Sequence, residues 1–414
     1  MVKNLPVYIS LLIILFTGFS FLQQDDITKR KTELQNIRDE IQKLESEIKQ
    51  QTKKEKASYS AIENYNKQNF LLNKLIAKLR KEEKIKHDAI RENQKNINEL
   101  ENQIELLQKN YSKYVVAVYK YSKMDELAGV FDSESLQQAM VRIKYLQSFS
   151  ERRQNDLEKF EKAKEDLIVL KQKLEKEREE KRLLTIEKRK EEAGLKEKLV
   201  GKQKVLKKIK NNKTELKKEL NTKKNSEAQI QNLITKLVEE AERKRKEEEL
   251  ARLNSESGNK TNSNTETPSE YDIDLNTANF ESFSSLRGNL NWPIRGRIIR
   301  KFGENRNSKL NTVTLNYGVD IKSSGDLSVK SVAGGVISAI DYIPGYGSVI
   351  IISHKEDYRT VYSHLSEIFV NEGDKVKAGS VIAKVGESLE GYILHFEIWN
   401  SRVNQNPEKW FAKR

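Results

Sequence analysis

Ile393-Leu394-His395-Phe396-Glu397-Ile398-Trp399 decides how the last quarter of this 414-residue chain is read. Alternation along an extended strand sends Leu394, Phe396 and Ile398 to one face and Ile393, His395, Glu397 and Trp399 to the other. The first set suits a core, and the second lines a groove. Upstream stand Asn316-Tyr317-Gly318-Val319-Asp320 and Tyr362-Ser363-His364-Leu365, again within β-patterned sequence. A hydrolytic zinc site takes three protein ligands from His, Asp or Glu and keeps a fourth position for water, so the spaced set Asp320, His364, His395 invites that reading. The set is incomplete.

The surrounding sequence is β throughout. Runs 297–302, 335–340 and 348–353 are short and β-branched, and turn residues such as Gly345-Tyr346-Gly347 and Asn371-Glu372-Gly373-Asp374 separate them. About 120 residues suffice for one antiparallel β domain with its own core.

From Asn291-Trp292-Pro293-Ile294 to Pro407-Glu408-Lys409-Trp410-Phe411 the chain resembles the LytM domain of lysostaphin-type zinc metallopeptidases, which cut peptide cross-links in bacterial cell walls. In that family His-x-x-x-Asp and the last His of His-x-His hold zinc, while two further His serve the reaction. The resemblance puts Asp320 and His395 at two ligand positions and His364 at one catalytic position. Asn316 then stands where the third ligand belongs, and Ile393 where the second catalytic His belongs. A neutral Asn carbonyl is a weak zinc ligand, and Ile393 can neither take nor give a proton. The expectation is a degenerate site with no catalytic residues and no zinc, whose groove residues Ile393, His395, Glu397 and Trp399 receive a partner segment.

The net charge of +14, with 33% charged and 36% hydrophobic residues, says that much of the chain is not packed core. No Cys is present, which excludes disulfides and thiolate metal sites. Residues 1–24 place Lys3 before the apolar run from Leu5 to Leu22, the pattern of a secretory signal, with Gly18 and Ser20 suited to cleavage after Ser20. An uncleaved inner-membrane anchor is the other reading of this run. Either way the bulk is exported, which in a bacterial envelope means the periplasm.

Residues 25–252 read as two long helical arms. Ile27, Leu34, Ile37, Ile41, Leu44 and Ile48 begin a heptad pattern that Ile97, Leu100, Ile104 and Leu107 continue. The second arm carries Leu157, Phe160, Leu167, Leu170 and Leu174, then Leu195, Leu199, Leu206, Ile209, Leu216 and Leu220, with Lys202 in a seam position. The pattern breaks around Gly129, with a new N-cap candidate at Asp132 or Ser133. An antiparallel coiled-coil hairpin with its tip near 111–150 is expected; Tyr111, Tyr114, Val115, Val116, Val118, Tyr119 and Tyr121 before the break and Met140, Val141, Ile143, Tyr145 and Leu146 after it offer a docking face there, part of which must close the hairpin itself. Lys interleaved with Glu along the arms reads as a solvated face, and aromatic stacking residues are absent from the second arm after Phe160, so nucleic-acid binding is not expected.

Residues 253–290 turn polar and read as a flexible linker, with Tyr271 to Leu290 recovering enough apolar character to act as a regulatory segment; the β domain is placed at 291–414. The expected fold class is therefore multidomain: a long antiparallel coiled-coil hairpin followed by an all-β domain. The order of parts resembles the EnvC-like murein hydrolase activators. That resemblance implies a non-enzymatic activator of N-acetylmuramoyl-L-alanine amidases in peptidoglycan remodelling, with an FtsEX-type membrane complex docking on the coil tip. Peptidoglycan itself is a further candidate ligand. A zinc endopeptidase and a purely structural tether are the competing classes.

Overall fold

The computed structural model describes residues 30–46, 58–120, 136–210, 212–256, 280–307 and 312–413. The export segment 1–24, the turn of the hairpin at 121–135 and linker residues 257–279 lie outside them. The helices are α1 (30–46), α2 (Tyr59–Lys120), α3 (Leu136–Ile209) and α4 (Lys213–Glu256). Among the described residues, no helix is long and apolar enough to cross a membrane. The chain divides into two compact units, residues 79–189 and the remainder.

In the first of these, α2 and α3 pair antiparallel. Partners on α3 step backward as those on α2 step forward: Glu83 accepts from Thr185 Oγ1 at 2.8 Å, Asn93 donates to Glu177 at 2.5 Å, Lys171 pairs with Glu101 at 2.7 Å, and Tyr114 meets Phe149 edge to face at 5.3 Å. Leu79, Ile97, Ala163 and Leu174 are buried, whereas charged residues dominate the outside. Val115, Val116, Met140, Val141, Ile143 and Tyr145 stay exposed, so the Tyr114–Phe149 contact closes the hairpin while leaving this apolar surface in solvent.

The second unit holds the all-β domain. Strands β1 (Gly296–Arg300), β4 (Val319–Ser323), β6 (Gly335–Ile343), β7 (Gly347–Ser353), β8 (Tyr358–Ile368), β9 (Lys375–Val376) and β12 (Gly391–Asn400) form one sheet in the order β1-β4-β12-β8-β7-β6-β9. Strands β5 (Ser328–Lys330), β10 (Val381–Val385), β11 (Glu387–Ser388) and β13 (Val403–Gln405) add to its margins, and β2 (Gly303–Asn307) pairs with β3 (Thr312–Asn316) as a separate hairpin. Leu394, Phe396 and Ile398 lie in the core with Val319, Ile321, Ile350, Ile352 and Tyr362, as the strand alternation requires. Gly318 is obligatory in this packing, since a Cβ there would come within 2.2 Å of the Phe396 carbonyl oxygen.

Two boundaries differ from the sequence reading. Phe283 and Leu290, assigned to the linker, are fully buried in the β core, where Phe283 stacks on Tyr358 with ring centroids 4.8 Å apart. The domain therefore includes residues from 280. The second arm also ends early, at Ile209, where a short Asn-rich turn starts α4, with the Asn212 side chain accepting from the Thr214 amide at 3.0 Å. The hairpin's base and α4 pack onto the β domain instead of standing apart from it. Leu44, Phe70 and Leu71 meet Ile340 and Tyr342, and Asn73 bonds the Ser366 carbonyl and the Ile368 amide at 2.8 and 3.1 Å.

Candidate functional site

Strands β4, β12 and β8 bring the expected residues to one face. Asp320 on β4 stands opposite His395 on β12, and His395 opposite Ser363 on β8. His395 Nδ1–H donates to Asp320 Oδ1 at 2.7 Å and Nε2–H donates to Glu397 Oε1 at 2.8 Å, while Trp399 Nε1–H donates to Glu397 Oε2 at 2.6 Å. Four of the expected residues thus form one continuous chain, all of them buried.

Charge follows from this geometry. Burial works against a cationic His395, but its two carboxylate partners outweigh burial and push it up to about 9. The ring is therefore an imidazolium at neutral pH, with both nitrogens donating. Burial likewise opposes the Asp320 carboxylate, yet the His395 hydrogen bond and charge, then Arg300 and Lys223, hold it well below the usual range.

His364 sits at a bulge of β8 against β7, with a positive φ of 64°. Its amide donates to the Tyr346 carbonyl at 2.7 Å, and the Tyr346 ring lies between it and His395, at 5.9 and 5.0 Å. Burial, reinforced by Lys223, pulls His364 well below its ordinary value and keeps it neutral. It borders a cavity of about 20 Å³, room for one water, closed by Tyr59, Ile62, Glu63 and Lys202 from the coil base. Lys202, the cation in the coil seam, is buried there and falls to about 8.

The two substituted positions do not join. Asn316 donates to the Lys301 carbonyl at 3.2 Å and accepts from the Gly318 amide at 3.4 Å, so both ends of its amide serve the local hairpin. Ile393 is buried opposite Lys322.

The groove face is covered, which the sequence reading did not anticipate. Ile230, Leu233, Ile234, Leu237 and Val238 of α4 pack against Ala339, Ile343, Tyr346, Val349, Ile351, Val361 and Trp399. These α4 positions recur at i, i+3, i+4, i+7 and i+8, an amphipathic stripe inside the region assigned to the second arm but beyond its heptad series, which stopped at Leu220. Arg359 Nη2 donates to the Leu237 carbonyl at 3.2 Å, whereas its Nε and Nη1, and Glu227 Oε1 on α4, are buried without a hydrogen-bond partner among the described protein atoms. Burial, then the facing Glu397, raises Glu227 to about 7, with His395 pulling the other way.

Zinc does not fit this donor set. Asp320 and His395 are two of the three protein ligands that a zinc site takes, Asp320 is already held by Arg300, and the neutral Asn316 turns into its own hairpin. Among the described residues, no group of three His, Asp or Glu is arranged to hold a metal ion.

The stretch that carries this sheet is similar to a known peptidase family: residues 314–407 match the model of Peptidase family M23. Proteins to which it is similar include murein hydrolase activator NlpD of Salmonella dublin, 35% identical over 125 residues (30% of this chain, 31% of the relative), and outer membrane antigenic lipoprotein B of Haemophilus influenzae, 36% identical over 124 residues (30% and 29%). Among solved structures, one from the SpoIIQ–SpoIIIAH pore forming complex is 28% identical over 31% of this chain and 93% of that chain, at a TM-score of 0.27. The chain thus spans about 30% of the length of the curated relatives it matches.

Proposed function

We propose that the chain is a non-enzymatic activator of cell-wall amidases, acting in the envelope through the groove of its M23 domain. Ile393, His395, Glu397 and Trp399 form the receiving face, and an amidase segment takes the place that α4 holds in the closed form. The observation that carries this reading is α4 itself, a helix of the same chain laid along the expected recognition face. Relatives named murein hydrolase activator and outer membrane lipoprotein support the activity class and the envelope location.

The α4 interface suits a removable cover. Its apolar stripe favours docking, whereas Glu227 Oε1 and two Arg359 nitrogens are buried without hydrogen-bond partners among the described residues, each unpaired group costing about 1–3 kcal/mol. A partner can open such a cover only by as much as it prefers the open state. Control through the coil, by an FtsEX-type membrane complex docking on the exposed apolar residues near the tip, belongs to the same proposal and follows the EnvC-like resemblance. So does a periplasmic location.

Wall solubilisation is the test, with and without a cognate amidase. The purified chain alone should release no peptide fragments, the chain with amidase should accelerate release, and Trp399→Ala should weaken that acceleration while the domain stays folded. Cleavage by the chain alone that a chelator abolishes would favour the endopeptidase reading instead.

A further inference from the structure

Arg300 is a cation that the sequence pattern did not mark. It ends β1 directly across from Asp320 on β4, at a shift of register between Ile298 and Arg300. One guanidinium nitrogen reaches Asp320 Oδ2, and the other reaches Glu390 in the turn that leads into β12. Since Asp320 Oδ1 accepts from His395, both oxygens of the carboxylate are occupied. Lys223 of α4 is a second nearby cation, but it pairs with Glu219 of its own helix at 3.2 Å and would leave with that helix. Arg300 belongs to the sheet and stays.

We propose that Arg300 substitutes for the metal that the resemblance implies, serving as the fixed cation that neutralises Asp320 and ties β1, β4 and the start of β12 into one floor. A metal in such a site would balance carboxylate charge and cross-link strands. A guanidinium does both here, because its planar fork spans two carboxylates and cannot lose its proton in a protein. The guanidinium and a metal ion are then alternatives for the same carboxylate. Restoring a ligand at position 316 is not enough to restore metal binding while Arg300 remains.

The test uses the full chain, Asn316→His, and Arg300→Gln combined with Asn316→His, with Arg300→Lys as a folding control that keeps the charge. Each is dialysed against Zn²⁺, the retained metal is counted by mass spectrometry, and melting is followed with and without zinc. The double variant alone should retain about one zinc per chain and melt higher when zinc is present. Stoichiometric zinc in the parent chain or in Asn316→His would overturn the proposal, because Arg300 would then not exclude the ion. A folded double variant that retains no zinc would overturn it too. So would a double variant that fails to fold even with zinc while Arg300→Lys folds, since metal and guanidinium would not be interchangeable.

Discussion

The two faces of β12 are buried to the same degree but by different means. Leu394, Phe396 and Ile398 are sealed in the β core by apolar neighbours. His395, Glu397 and Trp399, one residue out of phase, carry charge and hydrogen bonds and are sealed by α4. One face has its burial built into the sheet, and the other borrows it from a helix joined through a separate turn. Equal burial therefore does not mean equal permanence, and the comparison can be broken from either side.

The largest effect is expected on the core face. Phe396→Ala removes a fully buried ring that meets Tyr362 edge to face and tilts against Phe411, and should cost about 3–5 kcal/mol in urea unfolding of the β domain. Ile234→Asp, on α4, places a charge in the apolar stripe of the cover. It should weaken docking by about 2–3 kcal/mol, so amide exchange of residues 225–240 quickens by roughly 30- to 150-fold while core strand amides keep their protection.

A smaller effect is expected from pH. Glu227 is raised from its ordinary value of 4.5 to about 7 when α4 is docked, so its contribution is fully present below about 4.5 and is lost as pH rises through about 7. His395, raised to about 9, keeps its charge across that window and leaves Glu227 as the titrating group. Corrected for the intrinsic base-catalysed rate, exchange in α4 should quicken between about pH 4.5 and 7, and Glu227→Gln should flatten that dependence. Smallest is the far end of the cover, where Arg245 Nη1 donates to Asp357 at 3.0 Å, with Arg245 exposed and Asp357 half-buried. Arg245→Ala should weaken docking by less than about 1 kcal/mol, an effect that salt screening erases.

Strand alternation made both faces of β12 legible in the sequence and set His395, Glu397 and Trp399 on one of them, whereas Asp320 was marked by its motif and the LytM resemblance. Heptad spacing gave the hairpin, because paired long helices write their contacts at short, regular intervals. The cover was not legible. Leu216 and Leu220 continue the coil register past Ile209, and the cap at Asn212, where α4 begins, is the one local sign that the arm has ended. Arg300 was equally silent, since a strand-end Arg reads as surface until the register sets it across from Asp320. Phe283 and Leu290 were hidden for another reason: they sit in irregular backbone, where no period announces burial.

Amidase-dependent wall solubilisation by the full chain, compared with Ile234→Asp at equal concentration, tests the covered groove most directly. The expected result is stronger stimulation by the variant, because α4 leaves the His395–Trp399 face more often. Equal or weaker stimulation, with the β domain still folded and α4 exchanging faster, would contradict the account.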